Sequence, residues 1–138
     1  MRVMIHAKKG EKKAATLKLK IREQLPEIRI IPSESMSDLT GELGRPLNNI
    51  SVIIMFIPTL KTLDLLFSLK SFFENKKLIL VLAGQDNQTF IRGLQLNPSF
   101  ISTGDVHGDD VFRVLKRINQ RQRTMTQISM HLNKKEEI

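Results

Sequence analysis

Two of the three histidines could take part in one small polar site. His6 lies at the end of the first apolar run of the sequence, and His107 lies close to Asp105 in a segment that contains two glycines. Imidazole and carboxylate groups together could bind a polar ligand or a metal ion. A simpler interpretation is that His6 is hydrogen-bonded to backbone and that His107 lies in a solvated loop. On this ground we expect no metal site.

The segment around His107 precedes a predicted helix. It reads TGDVHGDD over residues 103–110, so Asp109 or Asp110 could cap the helix N-terminus. Glycines before a helix can form an anion site, but three nearby acids oppose phosphate binding here. The chain contains neither GxGxxG nor GxxxxGK(S/T), and it has no cysteine. The sequence therefore has no nucleotide-binding fingerprint, and we expect no cofactor and no enzyme activity.

Positive charge is concentrated in two parts of the chain. Residues 2–22 carry eight Lys and Arg against Glu11 alone, and residues 113–135 carry seven with no acid among them. The whole chain has a net charge of +8 and an isoelectric point near 10.1. A basic surface favours an acidic protein partner, nucleic acid or an anionic membrane. A solvated face that only keeps the protein in solution would have the same composition.

Apolar runs and helical spacing alternate along the chain. Short apolar runs predict strands, and apolar residues three or four positions apart predict the helices between them. Pro26 is expected to close the first helix and Pro32 the second strand. The predicted strands span residues 2–7, 27–31, 50–57, 78–83 and 100–102. The predicted helices span residues 8–25, 35–47, 59–74, 87–96 and 109–123.

This order of elements predicts an α/β fold. Strands 1, 3 and 4 are apolar throughout, which indicates a parallel sheet with helices on both faces. Right-handed crossovers then give a flavodoxin-like, doubly wound, five-stranded sheet in the order 2-1-3-4-5, with five helices. We expect one domain over residues 1–123, followed by a C-terminal helical extension or tail over residues 124–138.

The third strand and the helix after it resemble the middle of a CheY-like receiver domain of a response regulator. Residues 52–58 read VIIMFIP, and the next helix contains LDLL at residues 63–66. In receivers the third strand carries an aspartate four positions before a proline, and a similar leucine-rich run follows. The same spacing places Ile54 where that aspartate stands. The resemblance extends from Met1 to about Gln120.

Under this resemblance, each position that serves phosphoryl transfer holds a different residue. The acidic pair that binds Mg²⁺ aligns with His6 and Ala7, the phospho-acceptor aspartate with Ile54, the Ser/Thr position with Leu82, and the lysine with Thr103. An isoleucine cannot accept a phosphoryl group or coordinate Mg²⁺. The resemblance therefore implies a degenerate pseudo-receiver that has lost phosphorylation. The same five residues would form a degenerate, more apolar pocket.

The C-terminal residues carry a second interaction signal. Val111, Ile118, Met125 and Leu132 are spaced seven residues apart, with Val114 and Ile128 adding to that side and Arg121 interrupting it. This spacing lets the fifth helix continue past the sheet as an amphipathic rod. We expect a homodimer through this helix. The alternative is that residues 125–132 pack back on their own domain.

The sequence is compatible with three functions. The first is a phosphorylation-independent signalling or scaffold module that binds an acidic protein partner, with Phe100, Arg113, Lys116 and Arg117 as candidate contacts. The aromatic position on the fifth strand of receivers aligns with Phe100. The second is a sensor that binds a hydrophobic ligand in the degenerate pocket. The third is a basic nucleic-acid-associated protein. No apolar run approaches the length of a membrane span. Since the N-terminal residues MRVMIHAKKG contain no apolar region typical of a signal peptide, we expect a cytoplasmic protein.

Overall fold

The computed structural model describes residues 1–103 and 109–136, with side chains described through residue 132. Strands and helices alternate in the predicted order. The strands are β1 (Arg2–His6), β2 (Arg29–Ser33), β3 (Ile50–Ile57), β4 (Lys77–Leu82) and β5 (Phe100–Ser102). The helices are α1 (Lys12–Gln24), α2 (Met36–Leu43), α3 (Leu60–Phe67), α4 (Asn87–Leu94) and α5 (Asp109–Glu136), with a short 3₁₀ helix (Lys70–Phe73) after α3.

The five strands form one parallel sheet in the order β2-β1-β3-β4-β5. This confirms the predicted fold class and strand order. The continuous apolar sequence of β3 was the main evidence for a parallel sheet, because a strand that is covered on both faces shows no alternation of polar and apolar residues. From Val52 onward the residues of β3 pair with β4, and Ile5 of β1 pairs with Ile54 of β3.

Each face of the sheet has its own apolar core. On one face, α1 and α5 pack against β1, β3 and β4 through residues that include Leu17, Ile21 and Leu115. On the other face, α2 and α3 pack through residues that include Leu39 and Leu63. The two basic segments of the chain, which contain α1 and α5, therefore lie on the same side of the sheet.

The second strand differs from its prediction. It spans Arg29–Ser33, so Pro32 lies inside β2 and does not end it. Because β2 is an edge strand, it needs backbone hydrogen bonds on one side only, and a proline is tolerated there. The shift also places Ser33 opposite His6 in the parallel register.

The fifth helix continues past the sheet, which is one of the two arrangements that its apolar spacing allowed. It runs for 28 residues without a break, across the predicted boundary at residue 123. Every residue from Gln120 to Leu132 is exposed. Residues 125–132 therefore add no buried side chain to the core, although Met125 still lines a cleft beside the first residues of β3 and β4. Among the described residues, no helix is both long enough and apolar enough to cross a membrane.

Candidate functional site at the carboxyl edge of the sheet

Ile54 lies inside the core and not at the edge of the sheet. It pairs with Ile5 of β1 and with Ile79 of β4, and its side chain is fully buried. The strand continues beyond it to Ile57. Neither Ile54 nor its two neighbours carries a group that could accept a phosphoryl group or coordinate a cation.

The edge of the sheet on the same face is formed by Phe56, which sequence reasoning did not single out. Phe56 follows Ile54 by two positions and therefore points to the same face. It lines a cavity of about 240 Å³ together with Glu11, Lys13, Ile57, Val81, Leu82 and Ala83. The floor is apolar, and its only described charges come from Glu11 and Lys13 at the start of α1. The strand period of two was the signal that could have identified Phe56.

His6 forms a buried polar pair on the opposite face. Its Nδ1 lies 2.8 Å from Oγ of Ser33, and both residues are buried. Burial lowers the pKa of His6 below its ordinary value of 6.5, and the negative charge of Asp38 opposes that shift. Asp38 lies in the first turn of α2, where its carboxylate accepts a hydrogen bond from the backbone N–H of Glu34. His6 is thus hydrogen-bonded within the protein, as the simpler interpretation expected, but its partner is the side chain of Ser33 and not the backbone.

The five residues of the predicted pocket do not share one cavity. Ala7 and Ile54 belong to the core beneath α1 and α5. Leu82 belongs to the core beneath α2 and α3, and His6 lies beside Met55, which belongs to that core as well. Thr103 directly follows β5 and is half-buried. The sheet therefore separates the predicted set into two groups.

The predicted site of His6, Asp105 and His107 cannot be assembled from the described residues. Asp105 and His107 lie outside them, while His6 is paired with Ser33. Within residues 1–103 and 109–136, no group of three His, Cys, Asp or Glu side chains is placed to hold a metal ion.

Several solved structures similar to this chain are receiver domains and response regulators. A response regulator from Thermotoga maritima has a TM-score of 0.67 at 13% identity, over 86% of this chain and 97% of that one. The non-phosphorylated HemR receiver domain from Leptospira biflexa has a TM-score of 0.63 at 14% identity, over 85% and 92%.

The chain has the receiver-domain fold. A putative CpaE2 pilus assembly protein from Sinorhizobium meliloti 1021 is similar to the same extent, with a TM-score of 0.61 at 13% identity over 85% of this chain and 98% of that one. No protein-family model and no curated protein sequence matches the chain. At such low identity the likeness concerns the fold.

The fourth helix, predicted over residues 87–96, spans Asn87–Leu94 and leaves its apolar side chains exposed. The side of α4 that meets the sheet carries Gly93, where an added Cβ would lie 3.4 Å from Leu80 and 3.5 Å from Ile101. Its apolar side chains, Phe90, Ile91 and Leu94, are exposed. An apolar surface beside the edge strand β5 is a typical mark of an interaction site.

Arg92 of α4 makes two contacts with side chains of α3. Its Nε donates a hydrogen bond of 2.9 Å to Oδ1 of Asp64, and its guanidinium lies 3.9 Å from the ring centroid of Phe67. Both contacts hold α4 in the orientation that leaves its apolar side exposed.

The candidate contact residues on α5 fall on two sides of the helix. Lys116 lies two turns after Asp109, which forms an ion pair with Lys20, so Lys116 is on the side of α1. Arg117 and Arg121 are one turn apart and line a shallow groove on the other side. Arg113 is exposed one turn before Arg117, and Phe100 of β5 is half-buried against the core of the α5 face.

Proposed function

We propose that this protein is a phosphorylation-independent signalling or scaffold module that acts by binding a protein partner and has no catalytic activity of its own. The observation that carries the proposal is the burial of Ile54 between Ile5 and Ile79. Phosphoryl transfer to a receiver needs a carboxylate and a hard cation at the sheet edge. The strand ends there carry Ala7, Phe56, Ile57, Leu82 and Ala83 instead.

A small-ligand sensor is the weaker alternative. The cavity at Phe56 measures about 240 Å³, which is below the range of about 300–1,000 Å³ typical of ligand pockets. The predicted pocket residues are also divided between the two faces of the sheet. A cytoplasmic location stays part of the proposal, together with the signalling role.

The surface that we propose for the partner surrounds β5. It combines the exposed apolar side chains of α4 (Phe90, Ile91 and Leu94) with the exposed Arg113 and Arg117 of α5. An apolar centre beside positive charges suits a protein segment with apolar and acidic side chains. Few aromatic residues accompany the arginines, which makes single-stranded nucleic acid a poor fit.

We further propose that two copies associate through the exposed part of α5. Met125, Ile128 and Leu132 follow the spacing of a coiled-coil seam, and at least half of each residue's surface is exposed. The positions that directly flank this seam hold Gln122, Thr124, Ser129 and His131. None of these flanking positions holds a lysine or an arginine, so two copies could meet along residues 125–132 without repulsion between flanking cations, whereas Arg121 limits the seam on its N-terminal side.

The first experiment tests phosphorylation. The protein is incubated with acetyl phosphate and Mg²⁺, and its intact mass is measured. We expect no phosphorylated species, because the acceptor position holds a buried isoleucine. An adduct of one phosphoryl group that maps to the carboxyl edge of the sheet would contradict the proposal.

The second experiment tests partner binding. The wild-type protein and an Arg113→Glu/Arg117→Glu variant are used as bait in cells of the source organism, with Lys12→Glu/Lys18→Glu as a charge-matched control on α1. We expect a protein partner that the first variant loses and the control retains. Retention by both variants would remove the α5 arginines from the interface, and recovery of nucleic acid alone would favour the third function.

A further inference from the structure

A second cleft lies at the opposite end of the sheet, away from the carboxyl edge. It has a volume of about 650 Å³ and is formed where α5 passes the first residues of β3 and β4. Its lining includes the side chains of Lys77, Arg121, Asn49 and Asn75 over an apolar floor of Ile118 and Met125. This volume falls within the range of about 300–1,000 Å³ that small-molecule sites occupy.

The charge of this cleft is one-sided. Lys77 and Arg121 supply two cations, and the described lining contains no carboxylate. Within the part of the chain that the structure describes, neither cation forms an ion pair. Two cations that converge on one cleft without a counter-charge favour an anion with two negative charges.

The walls of the cleft are held in place before any ligand arrives. Nζ of Lys76 donates hydrogen bonds of 2.9 Å to Oδ1 of Asn48 and to the carbonyl oxygen of Ile50, which ties together the turns before β3 and β4. Burial lowers the pKa of Lys76, in keeping with its position between the two turns. Across the floor, Gln122 of α5 donates a hydrogen bond of 3.5 Å to Ser51.

The two asparagines of the lining have backbones in the left-handed region. The φ angle is 58° at Asn49 and 66° at Asn75. Asparagine tolerates this conformation better than most residues, and here it ends each turn with an exposed amide side chain in the lining. These amides can donate and accept hydrogen bonds, which gives the cleft polar groups beyond its two charges.

We propose that this cleft binds a small organic phosphate, with the phosphate between Lys77 and Arg121 and the organic part over Ile118 and Met125. The inference does not rest on the proposed signalling function or on the carboxyl edge of the sheet, although Met125 belongs both to this cleft and to the seam proposed for the dimer. Inorganic phosphate would contact only the two cations, and an uncharged organic molecule would contact only the apolar side chains of Ile118 and Met125. Both parts of the ligand are therefore needed for full affinity.

The test is a titration of the full chain at low salt with three probes: AMP, adenosine and inorganic phosphate. Binding is followed by two-dimensional NMR, with the signals of Asn49, Asn75 and Gln122 as reporters. We expect AMP to shift these signals and to bind at least about tenfold more tightly than either adenosine or phosphate. Unshifted cleft signals at millimolar AMP would overturn the proposal, and so would equal binding of AMP and inorganic phosphate.

Two matched variants separate the cleft from the general positive charge. Lys77→Ala/Arg121→Ala removes two charges from the cleft, and Arg113→Ala/Lys116→Ala removes two from elsewhere on α5. We expect the first variant to bind AMP about tenfold more weakly or worse, and the second to stay within about twofold of wild type. Equal losses in both variants would assign the binding to net charge and refute the cleft. Far-UV circular dichroism checks that both variants are folded.

Discussion

Ile54 of β3 lies beside Ile79 of β4 in parallel register, and both side chains are fully buried. A receiver-like sequence spacing thus leads to a position in the centre of the core. The edge of the same face is occupied by Phe56, two residues later. The absence of an acidic side chain at Ile54 is therefore also a packing requirement of this domain.

Ile54→Asp should prevent folding and should not create a phosphorylation site. A carboxylate at this position would be buried among aliphatic side chains with no cation beside it, and we expect a loss of about 5 kcal/mol or more in the free energy of unfolding. Urea denaturation followed by circular dichroism measures this loss. Ile54→Val is the control, with an expected loss of about 0.5–1.5 kcal/mol. A stably folded Ile54→Asp protein would show that the position is not in the core.

The buried pair of His6 and Ser33 predicts how stability depends on pH. Burial holds the folded pKa of His6 below its unfolded value of 6.5, so the folded state favours the neutral ring. Its stabilising contribution is complete above the unfolded pKa and is lost as the pH falls from about 6.5 toward the folded pKa. The urea midpoint should therefore drop between about pH 7.5 and pH 5.5.

Replacing the histidine isolates this effect. His6→Gln should lose most of the midpoint change over that pH interval, since no imidazole remains to be protonated. His131→Gln, on the exposed part of α5, removes an imidazole of the same kind and should keep the wild-type pH dependence. An unchanged pH dependence in His6→Gln would assign it to another group.

The contact of Gly93 with the sheet predicts opposite effects of small and large side chains. Gly93→Ala places a methyl group at ordinary contact distance from Leu80 and Ile101, so it should stabilise the protein by up to about 1 kcal/mol through helix propensity. Gly93→Leu should destabilise it by about 1–3 kcal/mol, because α4 must move away from the sheet. Gly41 of α2 has open space around it, and Gly41→Leu should be tolerated. The melting temperatures of Gly93→Ala, Gly93→Leu and Gly41→Leu, together with that of Gly41→Ala as a control, test this prediction.

The exposed seam on α5 predicts the oligomeric state. The wild-type protein should sediment as a dimer at micromolar concentrations, and Ile128→Asp should sediment as a monomer. The melting temperature of the domain in that variant should change little, because Ile128 is half exposed and lies outside both cores. Gln127→Asp introduces the same negative charge off the seam and should remain dimeric. A monomeric wild type at high concentration would contradict the proposal.

The sequence alone was sufficient for the architecture. Unbroken apolar runs such as β3 require cover on both faces, and five strands separated by helical segments permit few topologies. The bounds of β3 and β5 were predicted correctly. The position of Pro32 was not, because its effect depends on whether the strand lies at the edge of the sheet, which only the assembled sheet decides.

The functional surfaces were decided by the tertiary structure. Residue order placed Ile54 and Leu82 in one pocket, but strand pairing directs their side chains to opposite faces of the sheet, since successive residues alternate. The exposure of Phe90, Ile91 and Leu94 depends on how closely Gly93 approaches the sheet, and the cleft at Lys77 exists only because α5 passes over the start of β4. Local sequence determines which segments become strands and helices, whereas packing between distant segments determines which side chains meet solvent.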